Sequence, residues 1–428
     1  NQHPPNLEEE PHVSDAIKGL RPELVWKYFA EIARIPRCSK HEQAIGEYII
    51  DTAKRLGLQA KQDNTGNVVV KKSASPGFDR VRGIVLQGHL DMVCEKNADK
   101  VHNFSRDPIE LVRKDNVVMA DGTTLGADNG IAVATNLAIM EDKTVQHGPV
   151  EFLFTVDEET GLTGASSLTP DFLEGRILLN LDSEEEGTLY VGCSGGKDTL
   201  ATWRVKFEAP PENSAACRLT VTGLKGGHSG LEIDKGRGNA IKLLNRVLVL
   251  LNELGVRLSS IDGGNKRNAI PRECSALLFI PKKKFAEAGA IVKQANVSLR
   301  AELASVDPDL AVILAEIPAT GKEKVVPMNE QNILSRALAA LPHGVLKMSA
   351  DIPGLVETST NVAVISTTGK GIALSTSQRS SVASELDEAV LSVKSILELG
   401  GAEVELSDGY PGWKPNLNSP ILKLSKAT

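Results

Sequence analysis

Four short stretches hold side chains whose types and spacing suit metal-assisted hydrolysis. GHLDMV (88–93) carries His89 and Asp91, and TTLGADNG (123–130) carries Asp128. TVDEETG (155–161) carries Glu158 and Glu159, and NLDSEEE (180–186) carries Asp182. One imidazole among carboxylates is a donor set for zinc, manganese or cobalt rather than for soft copper. Two such ions can share a bridging carboxylate and a bridging water; they lower the water's pKa and polarise a carbonyl oxygen. A nearby carboxylate that does not ligate can then take the proton. The adjacent Glu158 and Glu159 offer one residue for each task. Asp91, two residues from His89, can accept the other imidazole N–H and fix its tautomer. Singly, each has an ordinary explanation: a turn histidine, a solvated glutamate pair, a helix N-cap at Asp128. Four together, mostly at strand ends, favour a site.

Rigid elements must bring these residues together. Apolar positions at helical spacing (Leu24, Val25, Tyr28, Phe29, Ile32) predict a helix from about residue 22, and a second spans 39–56 before Gly57. Short apolar runs at 83–87, 150–156 and 177–181 read as buried parallel strands. Helices are expected at 128–140 and 165–172. Strands alternating with helices indicate an α/β catalytic domain, its mixed, mostly parallel sheet lying between helices. In such sheets ligands bind beyond the carboxyl ends of the strands. The pattern changes near residue 200. Alternating strands are expected at 201–208 and 218–223, an amphipathic helix at 239–254, and strands at 256–261 and 275–280. A mostly helical stretch (282–340), a hairpin (361–376) turning at 369–371 and a helix (381–399) follow. Residues 200–398 thus read as a separate α+β unit, 21–199 as the first part of the catalytic domain, and 1–20 as a loose polar tail. No internal repeat is evident.

The strings GHLDMV, DGTTLGADNGIA, DEETGLTGA, NLDSEEEG, GLKGGHSG, RNAIPRE, VETSTNV and YPGWKPN run in order from residue 88 to 416. This series resembles the co-catalytic di-zinc metallopeptidases, and within them the Xaa-His dipeptidases. The resemblance implies that His89 and Asp182 ligate one metal, Asp128 bridges both, and Glu159 ligates the second. Glu158 would be the general base and Asp91 the residue orienting His89. His228 of GGHSG would steady the developing oxyanion, Arg379 of SQRSS would bind the substrate carboxylate, and Asn268 of RNAIP would contact substrate. The 200–398 unit would be an inserted lid and dimerisation domain, through which the chain would form a homodimer. Residues 399–428 would begin a returning catalytic segment. In the resembled proteins that segment carries a last histidine for the second metal. No histidine here lies beyond His343, so the second site lacks its final ligand and the chain reads as incomplete.

Composition narrows the alternatives. The 48 Lys and Arg against 55 Asp and Glu give a net charge of −7 in 428 residues, which argues against a nucleic-acid binder. No apolar run approaches the roughly 18 residues of a membrane span. Five cysteines without CxxC spacing (Cys38, Cys94, Cys193, Cys217, Cys274) argue against a disulfide scaffold and fit a reducing cytoplasm, with Cys94 and Cys193 as buried bystander thiols. The chain begins without Met, which leaves targeting open. The expected activity is hydrolysis of short peptides, Xaa-His dipeptides and others. Two rivals remain: an N-acyl amino acid deacylase using the same metals, and a non-catalytic homologue that binds metal or peptide.

Overall fold

The computed structural model describes residues 15–183 and 185–428. Most of the expected tail, and Glu184, lie outside them. The chain divides into two compact units, one ending at Leu189 and one beginning at Tyr190.

The first unit is built on five strands: β1 (Gln59–Gln62), β2 (Val68–Lys72), β3 (Ile84–His89), β6 (Val150–Thr155) and β7 (Leu178–Asn180). The intervening β4 (Leu111–Lys114) and β5 (Val117–Ala120) form a separate hairpin. The sheet order is β1-β2-β6-β3-β7. Pairing is parallel at β6-β3-β7 and antiparallel at β1-β2-β6, a mixed sheet. All six residues of β6 are buried, as its apolar run predicts for a central strand. Alternation sends Val68, Val70, Leu86, Phe152 and Phe154 to one face. There they pack with Tyr28, Phe29 and Ile32 of α1 (Glu23–Ile32), Ile45 and Ile49 of α2 (Gln43–Arg55), and Leu137 of α3 (Ala127–Glu141). Val69, Val85 and Leu153 face the other way, against Phe172. The helix expected over 165–172 is a correction. Only the single turns α4 (Glu158–Gly161) and α5 (Thr163–Ser166) form, and Phe172 anchors an irregular run by its ring.

The second unit holds β8 (Gly195–Arg204), β9 (Ser214–Thr222), β10 (Gly227–His228), α6 (Ala240–Asn252), β11 (Arg257–Gly263), β12 (Ala269–Ile270) and β13 (Cys274–Pro281). Then come α7 (Phe285–Glu302), β14 (Ala311–Glu316), α8 (Met328–Ala340), β15 (Gly344–Met348), β16 (Val356–Thr368), β17 (Gly371–Ser380), α9 (Ala383–Leu399), β18 (Glu403–Leu406) and α10 (Pro420–Ala427). Its large sheet runs β14-β9-β13-β11-β16-β17-β8-β18. Both expected boundaries move. β8 begins before residue 200, and β18, beyond 398, pairs with β8 and so joins this sheet. The stretch 282–340 also contains strand β14, paired with β9.

The sheet order reveals a repeat that composition hides. The path β9-α6-β11-β13-α7-β14 has the same connectivity as β8-α8-β16-β17-α9-β18. The two sets of four strands lie in mirrored order and meet where Gly263 of β11 pairs with Ile365 of β16. The repeat lies in topology rather than in sequence. No described helix is long and apolar enough to cross a membrane.

Candidate metal centre

Three turns at the carboxyl ends of β3, β6 and β7, with the start of α3, carry the expected ligands. His89 ends β3 and is 1% exposed. Its Nε2 lies 3.0 Å from Asp128 Oδ1, 3.6 Å from Asp182 Oδ1 and 4.0 Å from Glu158 Oε2. Its Nδ1 lies 3.2 Å from Asp91 Oδ1 and 3.1 Å from the Asp91 carbonyl. An acceptor at Nδ1 leaves the Nε2 lone pair facing the carboxylates, the tautomer a metal ligand requires. Among the described residues, two groups that contain His89 have donor atoms within 4.8 Å of one another: His89 with Asp128 and Asp182, and His89 with Glu158 and Glu159. The donor set, one imidazole among carboxylates, fits a divalent ion of the zinc, manganese or cobalt kind.

Asp91 is fully buried and organises the facing turn. It accepts hydrogen bonds from the Glu158 N–H (3.0 Å), the Glu159 N–H (3.2 Å) and the Ser39 hydroxyl (2.8 Å). Burial alone would raise its pKa. The bonds from His89, Glu158, Ser39 and Glu159 outweigh it and hold the carboxyl at about 2. Asp157, just before the pair, adopts a left-handed φ of 52° that turns the chain out of β6 into α4.

The opening of α3 departs from the ordinary N-cap that is the alternative reading of Asp128. Gly126 stands at the cap position, and Asp128 and Asn129 have non-helical dihedrals within the first turn. The Asp128 side chain therefore faces His89 rather than capping the helix. Asn129 accepts from the His89 N–H (3.2 Å) and donates to the Leu181 carbonyl (3.0 Å), tying the His89 turn to the Asp182 turn. A Cβ on Gly88 would sit 2.6 Å from Asn129 Oδ1 and 2.8 Å from Ala132 Cβ, so only glycine lets α3 approach β3 here. The sequence reading missed Asn129, although its place directly after Asp128 was the available signal. It also missed Ser39 and Arg37, whose only signal was polarity in a turn between two helices.

The remaining expected residues belong to the second unit. His228 Nδ1 accepts from the Gly230 and Leu231 N–H groups at 3.2 and 3.3 Å. The ring proton therefore sits on Nε2. Burial lowers the His228 pKa, Arg379 lowers it further, and Glu232 opposes them, so the ring is a neutral donor at pH 7. Arg379 of β17 gives Nη1 to Tyr410 Oη at 2.9 Å, while its Nε is buried without a partner. A Cβ on Gly230 would contact both His228 and Arg379, which places the two side by side. Asn268 is exposed; its backbone carbonyl holds the Ser229 N–H at 2.8 Å. Tyr410 was not anticipated as a partner of Arg379.

The cysteine expectation is corrected. Cys38 and Cys94 are joined by a disulfide, and Cys193 is exposed rather than buried.

In the metal-free site, burial lowers the His89 pKa, but the hydrogen bond to Asp91 and the charges of Asp182, Asp91 and Glu158 carry it to about 9. A proton and a metal compete for Nε2. Metal affinity should therefore rise about tenfold per pH unit below pH 9 and then level off. Titrations with Zn²⁺ across that range test this; a pH-independent affinity would contradict the ligand role of His89.

A mixed α/β sheet with an imidazole–carboxylate cluster at its strand ends, in a chain that also holds an α+β unit, defines a metallopeptidase class. The chain belongs to the M20 family of metallopeptidases. A family model described as "Peptidase dimerisation domain" matches residues 213–307. The cytosol non-specific dipeptidase of Escherichia coli (strain K12) is 42% identical over 413 residues, 96% of this chain and 85% of that protein. The crystal structure of aminoacylhistidine dipeptidase from Vibrio alginolyticus is similar with a TM-score of 0.90 and 42% identity, over 95% of this chain and 83% of that one.

Proposed function

We propose that this chain is a metal-dependent dipeptidase acting on Xaa-His and other dipeptides, with zinc as its metal and Glu158 as its general base. The observation that carries this reading is the convergence of His89, Asp128, Asp182, Glu158 and Glu159 at one sheet end, in a chain 42% identical to a dipeptidase.

His89, Asp128 and Asp182 would hold one ion, and Asp128 with Glu159 a second. When bound, the ions acidify a water and polarise the peptide carbonyl. Glu158 takes the proton of the attacking water and returns it to the leaving amine. Its environment suits both tasks. Burial raises its pKa, His89 opposes this, and the charges of Asp182, Glu159 and Asp91 add to the rise. Asp91 holds the His89 ring in the ligating tautomer. His228, as an Nε2–H donor, takes the carbonyl oxygen as it gains charge. Arg379 takes the free carboxylate of the substrate, steadied by Tyr410, which restricts substrates to short peptides. Asn268 contributes a further polar contact to substrate.

We extend two further properties to the chain. A cytoplasmic location follows the name of its Escherichia coli relative. Assembly as a homodimer follows the matched dimerisation domain.

A panel of Xaa-His dipeptides against N-acetyl amino acids tests the substrate class. Higher kcat/KM on the dipeptides is expected. Higher efficiency on the acylated compounds would favour the deacylase reading.

A further inference from the structure

We propose that Arg37 is a positioning residue of the metal centre, holding the His89–Asp91 turn and the Asp128 turn in the relative geometry that metal binding requires. The inference rests on reading those residues as metal ligands.

Arg37 lies in the connection between α1 and α2, far in sequence from every ligand. It is 4% exposed, although arginine is seldom buried without partners. Its partners are backbone carbonyls on two separate turns. Nη1 donates to the Leu90 carbonyl at 3.0 Å and the Asp91 carbonyl at 3.1 Å. Nη2 donates to the Gly126 carbonyl, two residues before Asp128. The Arg37 carbonyl in turn accepts the Met92 N–H at 3.1 Å. One planar fork therefore spans the exit of β3 and the entry of α3, a geometry that a lysine's single ammonium cannot copy.

The glycines of TTLGADNG are explained by the same group. A Cβ at Gly126 would lie 2.5 Å from Arg37 Nη2, and one at Gly130 would lie 2.6 Å from it. The backbone of the Asp128 turn is thus moulded around the guanidinium. The neighbouring residues reinforce the clamp. Ser39 bonds the Asp91 carboxylate, and the disulfide partner of Cys38 is Cys94, just past the same turn. The three consecutive residues 37–39 each fasten the His89–Asp91 turn by a different bond. The guanidinium also lies near enough to Asp91, Asp128 and Glu159 to offset part of their charge.

A purely electrostatic Arg37 and a positioning Arg37 give different results. If Arg37 acted through its charge alone, a lysine that keeps the charge would leave metal binding unchanged. If Arg37 sets geometry, losing the fork weakens binding even when the charge is kept. The test is titration of the metal-stripped full chain with Co²⁺, followed by its visible absorption, for wild type, Arg37→Lys and Gly130→Ala. Gly130→Ala leaves Arg37 in place but drives a methyl against Nη2. Both variants should bind Co²⁺ at least about tenfold more weakly, with an altered absorption band. In turnover assays kcat should fall while KM stays within about threefold. Circular dichroism of the metal-free proteins reports folding, and Gly130→Ala serves if Arg37→Lys does not fold. Wild-type affinity and spectrum in either folded variant would overturn the proposal. A wild-type chain that binds no Co²⁺ would overturn the metal-site reading itself, and this proposal with it.

Discussion

Glu158→Gln is expected to lower dipeptide turnover by about a hundredfold to ten-thousandfold, the range a positioned general base contributes, while metal content stays at the wild-type level. Glutamine keeps the shape of the side chain and its capacity for hydrogen bonds, but it cannot carry a proton between the water and the leaving amine. The structure makes the outcome informative because Glu158 and Glu159 share one group with His89. Distance alone would let either ligate. If Glu158 were a ligand, the variant would lose metal and turnover together. If it is the base, only turnover falls. Metal content by emission spectroscopy and kcat on the same preparation separate the two outcomes, and near-normal turnover would remove Glu158 from the chemistry.

Asp128→Asn should be as damaging by a different route. Asp128 Oδ1 lies 3.0 Å from His89 Nε2, and Asp128 is the carboxylate assigned to both metals. An amide presents one neutral oxygen in place of a charged pair, so it cannot serve two cations. Metal affinity should fall by at least about a hundredfold, the upper end of what loss of a merely supporting residue costs. Turnover should not return at metal concentrations that saturate the wild type. The folded state should survive, because Asp128 is largely exposed and its side chain caps no helix. Calorimetric titration measures the affinity. Retained tight binding would show that Asp128 is not the shared ligand.

Glu158 was legible as a candidate because the apolar run 150–154 reads as a buried strand, and the acidic pair that follows it sits at a sheet end. Asp128, at the start of α3, was legible only through its motif and the resemblance that motif carries. The supporting residues were not legible. Arg37 and Ser39 act on Asp91 across more than fifty residues, by bonds to backbone carbonyls and to a carboxylate that no local pattern announces. Asn129 looked like an ordinary first-turn residue until its amide was seen tying two turns together. The disulfide escaped because pairing depends on a Cα separation of 5.7 Å, reached only when the 38 and 94 turns meet. In the second unit, β18 was assigned to the wrong body because strand pairing, not composition, decides which sheet a short segment joins. The mirrored repeat was hidden for the same reason: the two halves share connectivity, and β8 is separated from the rest of its half by the whole of the other.

The most direct test of the metal centre is to strip the full chain of metal with a chelator and return Zn²⁺ stepwise, following bound metal and Xaa-His hydrolysis together. Hydrolysis absent from the stripped protein and rising with occupancy of the His89, Asp128, Glu159 and Asp182 cluster is the expected result. Hydrolysis that persists without metal, or metal that binds equally well after Asp128→Asn, would contradict it.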